Sequence, residues 1–213
     1  MTLDSARQRM IREQLIPRHI HDQRVLKAMG QVPRHLFVQD ALHSQAYGDH
    51  SLPIGAGQTI SQPYIVALMT QALGLKGDES VLEIGTGCGY QTAVLARLCH
   101  RVLSVERIKQ LHIRARSTLD KLQIFNVICT VDDGTMGWPR YSPFDGIIVT
   151  AAGPDIPQPL IDQLADPGRL VMPIGDRGTQ KLVLLEKRDG ELSRQTLEFV
   201  RFVSLIGSHG WHE

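Results

Sequence analysis

A chain of 213 residues, 42% apolar and 21% charged, is long enough for one α/β core with an extension and too short for two full domains. Lys and Arg total 23 against 22 Asp and Glu, and this net charge of +1 gives no electrostatic case for nucleic acid or an anionic membrane as partner. The 3 cysteines, Cys88, Cys99 and Cys129, have no paired spacing and read as reduced thiols of a cytoplasmic protein, not as disulfide or zinc partners.

Met1 to Met10 carries Asp4, Arg7 and Arg9 and no apolar run, so it does not read as a signal peptide. No stretch reaches the roughly 18 apolar residues of a membrane span. From about Asp4 to Leu15, Met10, Ile11 and Leu15 make an apolar stripe that predicts an amphipathic helix, ended by Pro17. A second helix is expected from its cap Asp22, through Val25, Leu26 and Met29, to Gly30. Val32 to Gln39 and Ala41 to Tyr47 predict short helical turns. Residues 52–64 contain Pro53, Gly55 and Gly57 and predict an irregular loop.

A helix follows from Tyr64 to Leu73. Ser61 precedes it and can serve as its N-cap, with Pro63 in the first turn. The small and hydroxyl residues Gly55 to Thr59 suit contact with a small polar group, and the two roles are compatible. Residues 1–76 thus read as a helical extension with a substrate-side loop, and 77–213 as the α/β core of the same domain.

Val81 to Ile84 predicts a short buried strand, followed by Gly85, Gly87 and Gly89 and a helix from Gln91 to Leu98. A dinucleotide fingerprint needs its third glycine three positions after the second, where this chain has Tyr90. The pattern is instead E-x-G-x-G-x-G, starting at Glu83. A second strand, Arg101 to Val105, ends in Glu106, about twenty residues past the first glycine, where an acid can accept both hydroxyls of a ribose. Nucleoside binding passes this test and pyrophosphate binding is weakened. Ile108 to Leu122 predicts a helix whose basic residues, Arg114 and Arg116 among them, form a solvated face.

Further strands are expected at Val127–Val131, ending in Asp132-Asp133-Gly134, and at Phe144–Thr150, followed by Ala151-Ala152-Gly153. After a helix from Pro157 to Leu164 come strands at Gly168–Ile174, Lys181–Glu186 and Leu197–Leu205. The alternation predicts a doubly wound, mostly parallel seven-stranded sheet of Rossmann-like type with an N-terminal helical extension.

The glycine segment with Glu83 and Glu106 resembles motif I of the S-adenosylmethionine-dependent methyltransferases. The segment G-A-G-Q-T-I-S-Q-P-Y at 55–64 is more specific and resembles the signature loop of the protein-L-isoaspartate O-methyltransferases. Further resemblance lies in V-L-E-I-G-T-G-C-G-Y-Q-T-A (81–93), S-V-E-R (104–107), P-F-D-G-I-I-V-T-A-A (143–152), G-R-L-V-M-P-I-G (168–175) and R-F-V-S-L (201–205). These cover nearly the whole chain in the family's order.

The resemblance implies a class I methyltransferase fold, S-adenosylmethionine as donor, S-adenosylhomocysteine as product, and no metal. It implies isoaspartyl peptides and proteins as partners, with no nucleic acid and no membrane, and a monomer. The free α-carboxylate would be methylated and the ester would collapse to a succinimide. By the same resemblance Ser61 orients the substrate carboxylate. Thr59, Gly85, Thr86, Gly87 and Gly89 line the donor, Glu106 holds its ribose, and Asp133 with Gly134 lies against its adenine. Three positions depart from the family pattern: Asp132 replaces a glycine, Gly153 a proline, and Ser204 the proline of Val-Pro-Leu.

The residue chemistry permits this reading. Methyl transfer from a sulfonium needs a nucleophile held in line. A carboxylate, with an ordinary pKa of about 4, is ionised at neutral pH and needs no general base. The sequence has no Asn/Asp-Pro-Pro-Tyr/Phe segment for an amine acceptor and no Cys-x-x-Cys. Two alternatives remain: a small-molecule or RNA methyltransferase sharing only the glycine loop, and a non-catalytic module that binds the donor or damaged protein.

Overall fold

The computed structural model describes residues 2–176 and 178–212. The first apolar stripe folds as α1 (Leu3–Met10), prolonged by a wide turn at Ile11–Leu15 and a tight one at Ile16–Arg18, with Met10 and Leu15 fully buried. α2 (Gln23–Gln31) starts as expected, since the Asp22 carboxylate accepts from the N–H groups of Arg24 and Val25. It runs past Gly30 to end at Val32. Gly30 is set by packing rather than by helix termination, because a Cβ there would lie 3.0 Å from Ile11 Cδ1.

The segment expected as an irregular loop is a hairpin. β1 (Leu52–Gly55) pairs antiparallel with β2 (Gln58–Ile60), and Gly55, Ala56 and Gly57 turn the chain at φ of 90°, 53° and 69°. Three consecutive left-handed residues favour glycine, and this is the reason for the Gly-Ala-Gly run. α3 (Pro63–Leu73) follows directly. Its N-cap is Gln62 and no side chain caps it, so Ser61 is not the cap.

The central strands are β3 (Ser80–Ile84), β4 (Arg101–Glu106), β5 (Val127–Val131) and β6 (Phe144–Val149), with α4 (Tyr90–Leu95) and α5 (Lys109–Lys121) between them. After α6 (Gln158–Asp162) come β7 (Leu164–Gly175), β8 (Gln180–Arg188) and β9 (Glu191–Val200). The seven strands lie in the order β5-β4-β3-β6-β7-β8-β9, parallel as far as β7 and antiparallel at β8 and β9. The last strand starts earlier than expected and stops at Val200. Asp189 and Gly190, at φ of 53° and 80°, make a two-residue turn, so pairing with β8 begins at Glu191. β9 is an exposed edge strand, and its polar first half carries no apolar alternation for a sequence reading to detect.

Residues alternate across the sheet and feed two buried layers. Val81, Val102, Ile148 and Val171 face one side with Met10, Leu15, Val25, Met29 and Leu111. Leu82, Leu103, Ile147 and Leu170 face the other with Leu160 and Ile161 of α6. The N-terminal extension therefore shares a core layer with the sheet. Arg114 leaves the basic face expected of α5 and donates to the Ile54 carbonyl at 2.9 Å, which ties the hairpin to the core.

Replacing Asp22 with Ala removes an acceptor for two helix N–H groups, and the expected loss is about 1 kcal/mol. Urea denaturation checks it; an unchanged midpoint would show that α2 needs no cap.

Candidate active site

The parallel strands end at one edge, where connecting loops form a cleft. Gly85, Gly87 and Gly89 adopt φ of 96°, 56° and 90°. The Gly85 N–H donates to the Val105 carbonyl at 2.8 Å, and its own carbonyl accepts from Thr150 Oγ1 at 2.7 Å. The first turn of the loop is thus held by both neighbouring strands.

A buried polar chain supports it from below. Ser104 Oγ donates to Glu83 Oε2 at 2.7 Å, and Thr92 Oγ1 donates to the same oxygen at 2.5 Å. With the Ser104 proton so used, Thr86 is the donor in its 2.6 Å bond to Ser104. Glu83 is fully buried and its Oε1 has no partner among the described residues. Burial outweighs the two hydroxyl donors and pushes its carboxyl up to about 8.

Glu106 stands at the tip of β4 and is 5% exposed. Its Oε2 accepts from the Gly87 N–H and its Oε1 from the Ile108 N–H, each at 2.8 Å. Each oxygen keeps a second lone pair. A diol can therefore bind without displacing a protein contact.

The cleft is lined by Thr59, Ser61, Gly85, Thr86, Gly87, Cys88, Glu106, Gly134, Thr150 and the stretch Val203 to Ile206. Two expected members lie elsewhere. Gly89 is outside the lining; a Cβ there would sit 3.3 Å from Ala115 Cβ, so it lets the loop pack on α5. Asp133 is also outside it. Its Oδ1 accepts from the Thr135 N–H and hydroxyl, and its Oδ2 from the Ser208 N–H at 2.7 Å. Burial opposes ionisation of Asp133, yet these bonds prevail and hold its carboxyl below the usual range. The side chain thus latches the C-terminal segment. Gly134 does line the cleft, and a Cβ there would lie 2.4 Å from Ile84 Cγ2. Asp132 accepts from the Asp133 N–H and is exposed.

A second cleft adjoins the first. It is lined by His50, Ser51, Gln62, Thr179, Gln180, Phe199 and Arg201, and it shares Thr59, Ser61, Thr150 and Val203 with the first. Residues 203–205 continue the sheet there, since Ala152 donates to the Val203 carbonyl and accepts from the Leu205 N–H, each at 2.8 Å. Ser204 pairs with Ala152 in this bridge. Sequence reasoning missed Phe199, Arg201 and His50, because nothing in their spacing marks them; only the fold brings them to Ser61. The Ser61 hydroxyl has no partner among the described residues. Burial pushes the thiols of Cys88 and Cys129 up to about 11, so both stay protonated.

The sequence profile described as Protein-L-isoaspartate(D-aspartate) O-methyltransferase (PCMT) matches residues 5–210. The chain belongs to this family. A relative from Syntrophobacter fumaroxidans named Protein-L-isoaspartate O-methyltransferase 1 is 59% identical over 99% of both chains. One of the same name from Pelobacter propionicus is 55% identical over 99% of this chain and 100% of its own. A solved protein-L-isoaspartate O-methyltransferase superposes with a TM-score of 0.87 at 31% identity, covering 96% of this chain and 67% of the other. A Plasmodium falciparum beta-aspartate methyltransferase (PCMT), solved with S-adenosyl-L-homocysteine, gives 0.80 at 27% identity over 94% and 98%. The PCMT family fold accounts for the parallel sheet and for its antiparallel end at β8 and β9.

Glu83 ties stability to pH. In the unfolded chain this carboxyl ionises near its ordinary value of 4.5, whereas in the folded protein it holds its proton to about 8. Folded protein therefore binds more protons between these values, and stability falls as pH rises from about 5 to about 8. Glu83→Gln should flatten that fall. Denaturant midpoints measured at pH 5, 6, 7 and 8 check it, and equal slopes in both proteins would contradict it.

Proposed function

We propose that the protein is a repair carboxyl methyltransferase. It transfers the methyl group of S-adenosylmethionine to the free α-carboxylate of L-isoaspartyl residues in damaged peptides and proteins, and releases S-adenosylhomocysteine. The observation that carries this reading is the junction of the two clefts at Thr59, Ser61, Thr150 and Val203, which lets a donor and a peptide meet at one hydroxyl.

The residues of the first cleft fit the donor. Glu106 offers its two spare lone pairs to a ribose, and Gly85 to Gly87 offer close backbone approach. When bound, S-adenosylmethionine supplies an electrophilic methyl group on a sulfonium. Ser61 orients the acceptor carboxylate by donating its free hydroxyl. No side chain is needed to remove a proton, because the acceptor arrives ionised. The work of the site is alignment and exclusion of water. Thr150, held by its bonds to the Ile84 and Gly85 carbonyls, gives the junction of the two clefts a fixed side. After release the neighbouring amide nitrogen of the peptide displaces methanol from the ester, and hydrolysis of the resulting succinimide returns some normal aspartyl linkage.

No described helix is long and apolar enough to cross a membrane. The reading makes the enzyme a monomer of the cytoplasm acting on proteins and peptides. The near-neutral charge and the free, protonated cysteines support it.

Three measurements test the proposal. With labelled donor, an isoaspartyl peptide should be methylated and its matched aspartyl peptide should not; equal labelling, or none, would sink the reading. Glu106→Ala should weaken donor binding by about 1–3 kcal/mol, the scale of lost charge-assisted hydrogen bonds. Unchanged affinity by calorimetry would remove Glu106 from the donor site. Ser61→Ala should lower turnover far more than donor affinity, with little change in melting temperature since the residue caps no helix. A drop in melting temperature with turnover per folded molecule intact would assign it a structural role instead.

A further inference from the structure

Among the described residues the largest fully buried side chain is a cation with no carboxylate bonded to it. Arg34 is 0% exposed and sits in the tight turn Arg34–Phe37, before the hairpin. Its Nε donates to the Ala46 carbonyl and its Nη2 to the Ser61 carbonyl, each at 2.7 Å. Its guanidinium lies 4.9 Å from the ring centroid of Tyr90, the first residue of α4 behind the glycine loop. Nη1 has no partner. A buried guanidinium lacking a counter-ion is costly, and an apolar side chain of similar volume is often at least as stable. Stability alone therefore gives a poor account of an arginine here.

Its two bonds reach opposite ends of one element. Ala46 lies on the chain entering the hairpin β1–β2, and Ser61 is the residue leaving it. The hairpin pairs at only three positions, Leu52 with Ile60, Pro53 with Thr59 and Gly55 with Gln58. A two-stranded hairpin of this size is marginal by itself. Arg114 holds its far end at Ile54, and Arg34 closes its neck.

On the reading of Ser61 as the residue that orients the acceptor carboxylate, we propose that Arg34 is a positioning residue of the methyl-transfer site. By bonding the Ser61 carbonyl it holds that residue at the junction of the two clefts, and by stacking on Tyr90 it keeps the acceptor loop in register with the donor loop. It acts through Ser61 and does not touch either substrate.

The test uses Arg34→Lys, which keeps the charge but not the fork, and Arg34→Met, which removes the buried charge and is the variant expected to fold. Both are made alone and in a Ser61→Ala background, and wild-type turnover on an isoaspartyl peptide is the control. In the wild-type background kcat should fall by roughly tenfold to a hundredfold, the scale of a 1 Å misplacement. Donor Kd by calorimetry should stay within about threefold. In the Ser61→Ala background the further fall should be under about threefold, because the path through Ser61 is already cut.

Backbone amides of residues 58–62 should exchange faster in Arg34→Met while those of β3 do not. An equal fall in both backgrounds, unchanged kcat, unchanged exchange at 58–62, or loss of cooperative folding in both variants would overturn the inference and leave Arg34 a residue of stability alone. An inactive wild type would instead remove the repair reading itself.

Discussion

Everything in the site depends on a short hairpin being held against the carboxyl edge of the sheet. β1 and β2 pair at three positions and bury little by themselves, yet Thr59 and Ser61 must stand beside Gly85 and Thr150 for two clefts to become one reaction space. Arginines provide the hold. Arg114 reaches up from α5 to Ile54, and Arg34 lies beneath the neck. Both donate to backbone carbonyls, so the attachment is independent of side chains on the hairpin itself.

The donor side is built on the opposite plan, with carboxylates accepting from backbone and hydroxyl groups. Glu106 gathers the N–H groups of Gly87 and Ile108, which shapes the loop and leaves lone pairs facing the cleft. Glu83 lies deeper, under Thr92 and Ser104, and holds its proton near neutral pH. Two acids of the same sheet edge thus have different tasks. Glu106 lines the cleft where a ligand can reach it, whereas Glu83 acts as a neutral strut beneath the turn. Asp133 is also structural, but its bonds favour the ionised form; with Thr135 and Ser208 they hold the C-terminal segment in place.

Much of this was legible in the residues. The strands at 81–84, 102–105 and 146–149 are buried on both faces, and that kind of strand announces itself as a continuous run; 127–131 is also mostly apolar but lies at the sheet edge and leaves Ile128 and Val131 exposed. Gly85, Gly87 and Glu106 pointed to the first cleft, which they line, for a similar reason: a tight turn beside a concave site admits few residue types. What escaped was set by long-range pairing. The hairpin at 52–60 read as a loop because Pro53, Gly55 and Gly57 interrupt its apolar residues within a few positions. β9 was placed too late because an edge strand needs no apolar alternation. Ser61 looked like a helix cap, but Gln62 takes that position, which leaves the hydroxyl free. Arg34 stood in plain view within Val-Pro-Arg-His-Leu-Phe. An arginine between Val32 and Phe37, both buried, was the available signal, but only the fold shows that it reaches Ala46 and Ser61.

The account stands or falls on the distance between the Ser61 hydroxyl and the acceptor. A crystal structure with S-adenosylhomocysteine and an isoaspartyl peptide measures it directly. The expected result is the α-carboxylate within hydrogen-bond distance of Ser61 Oγ, about 2.5–3.0 Å, the donor sulfur on the opposite side of the carboxylate oxygen, and the ribose on Glu106. A peptide seated elsewhere, or a sulfur separated from Ser61 by solvent, would contradict it.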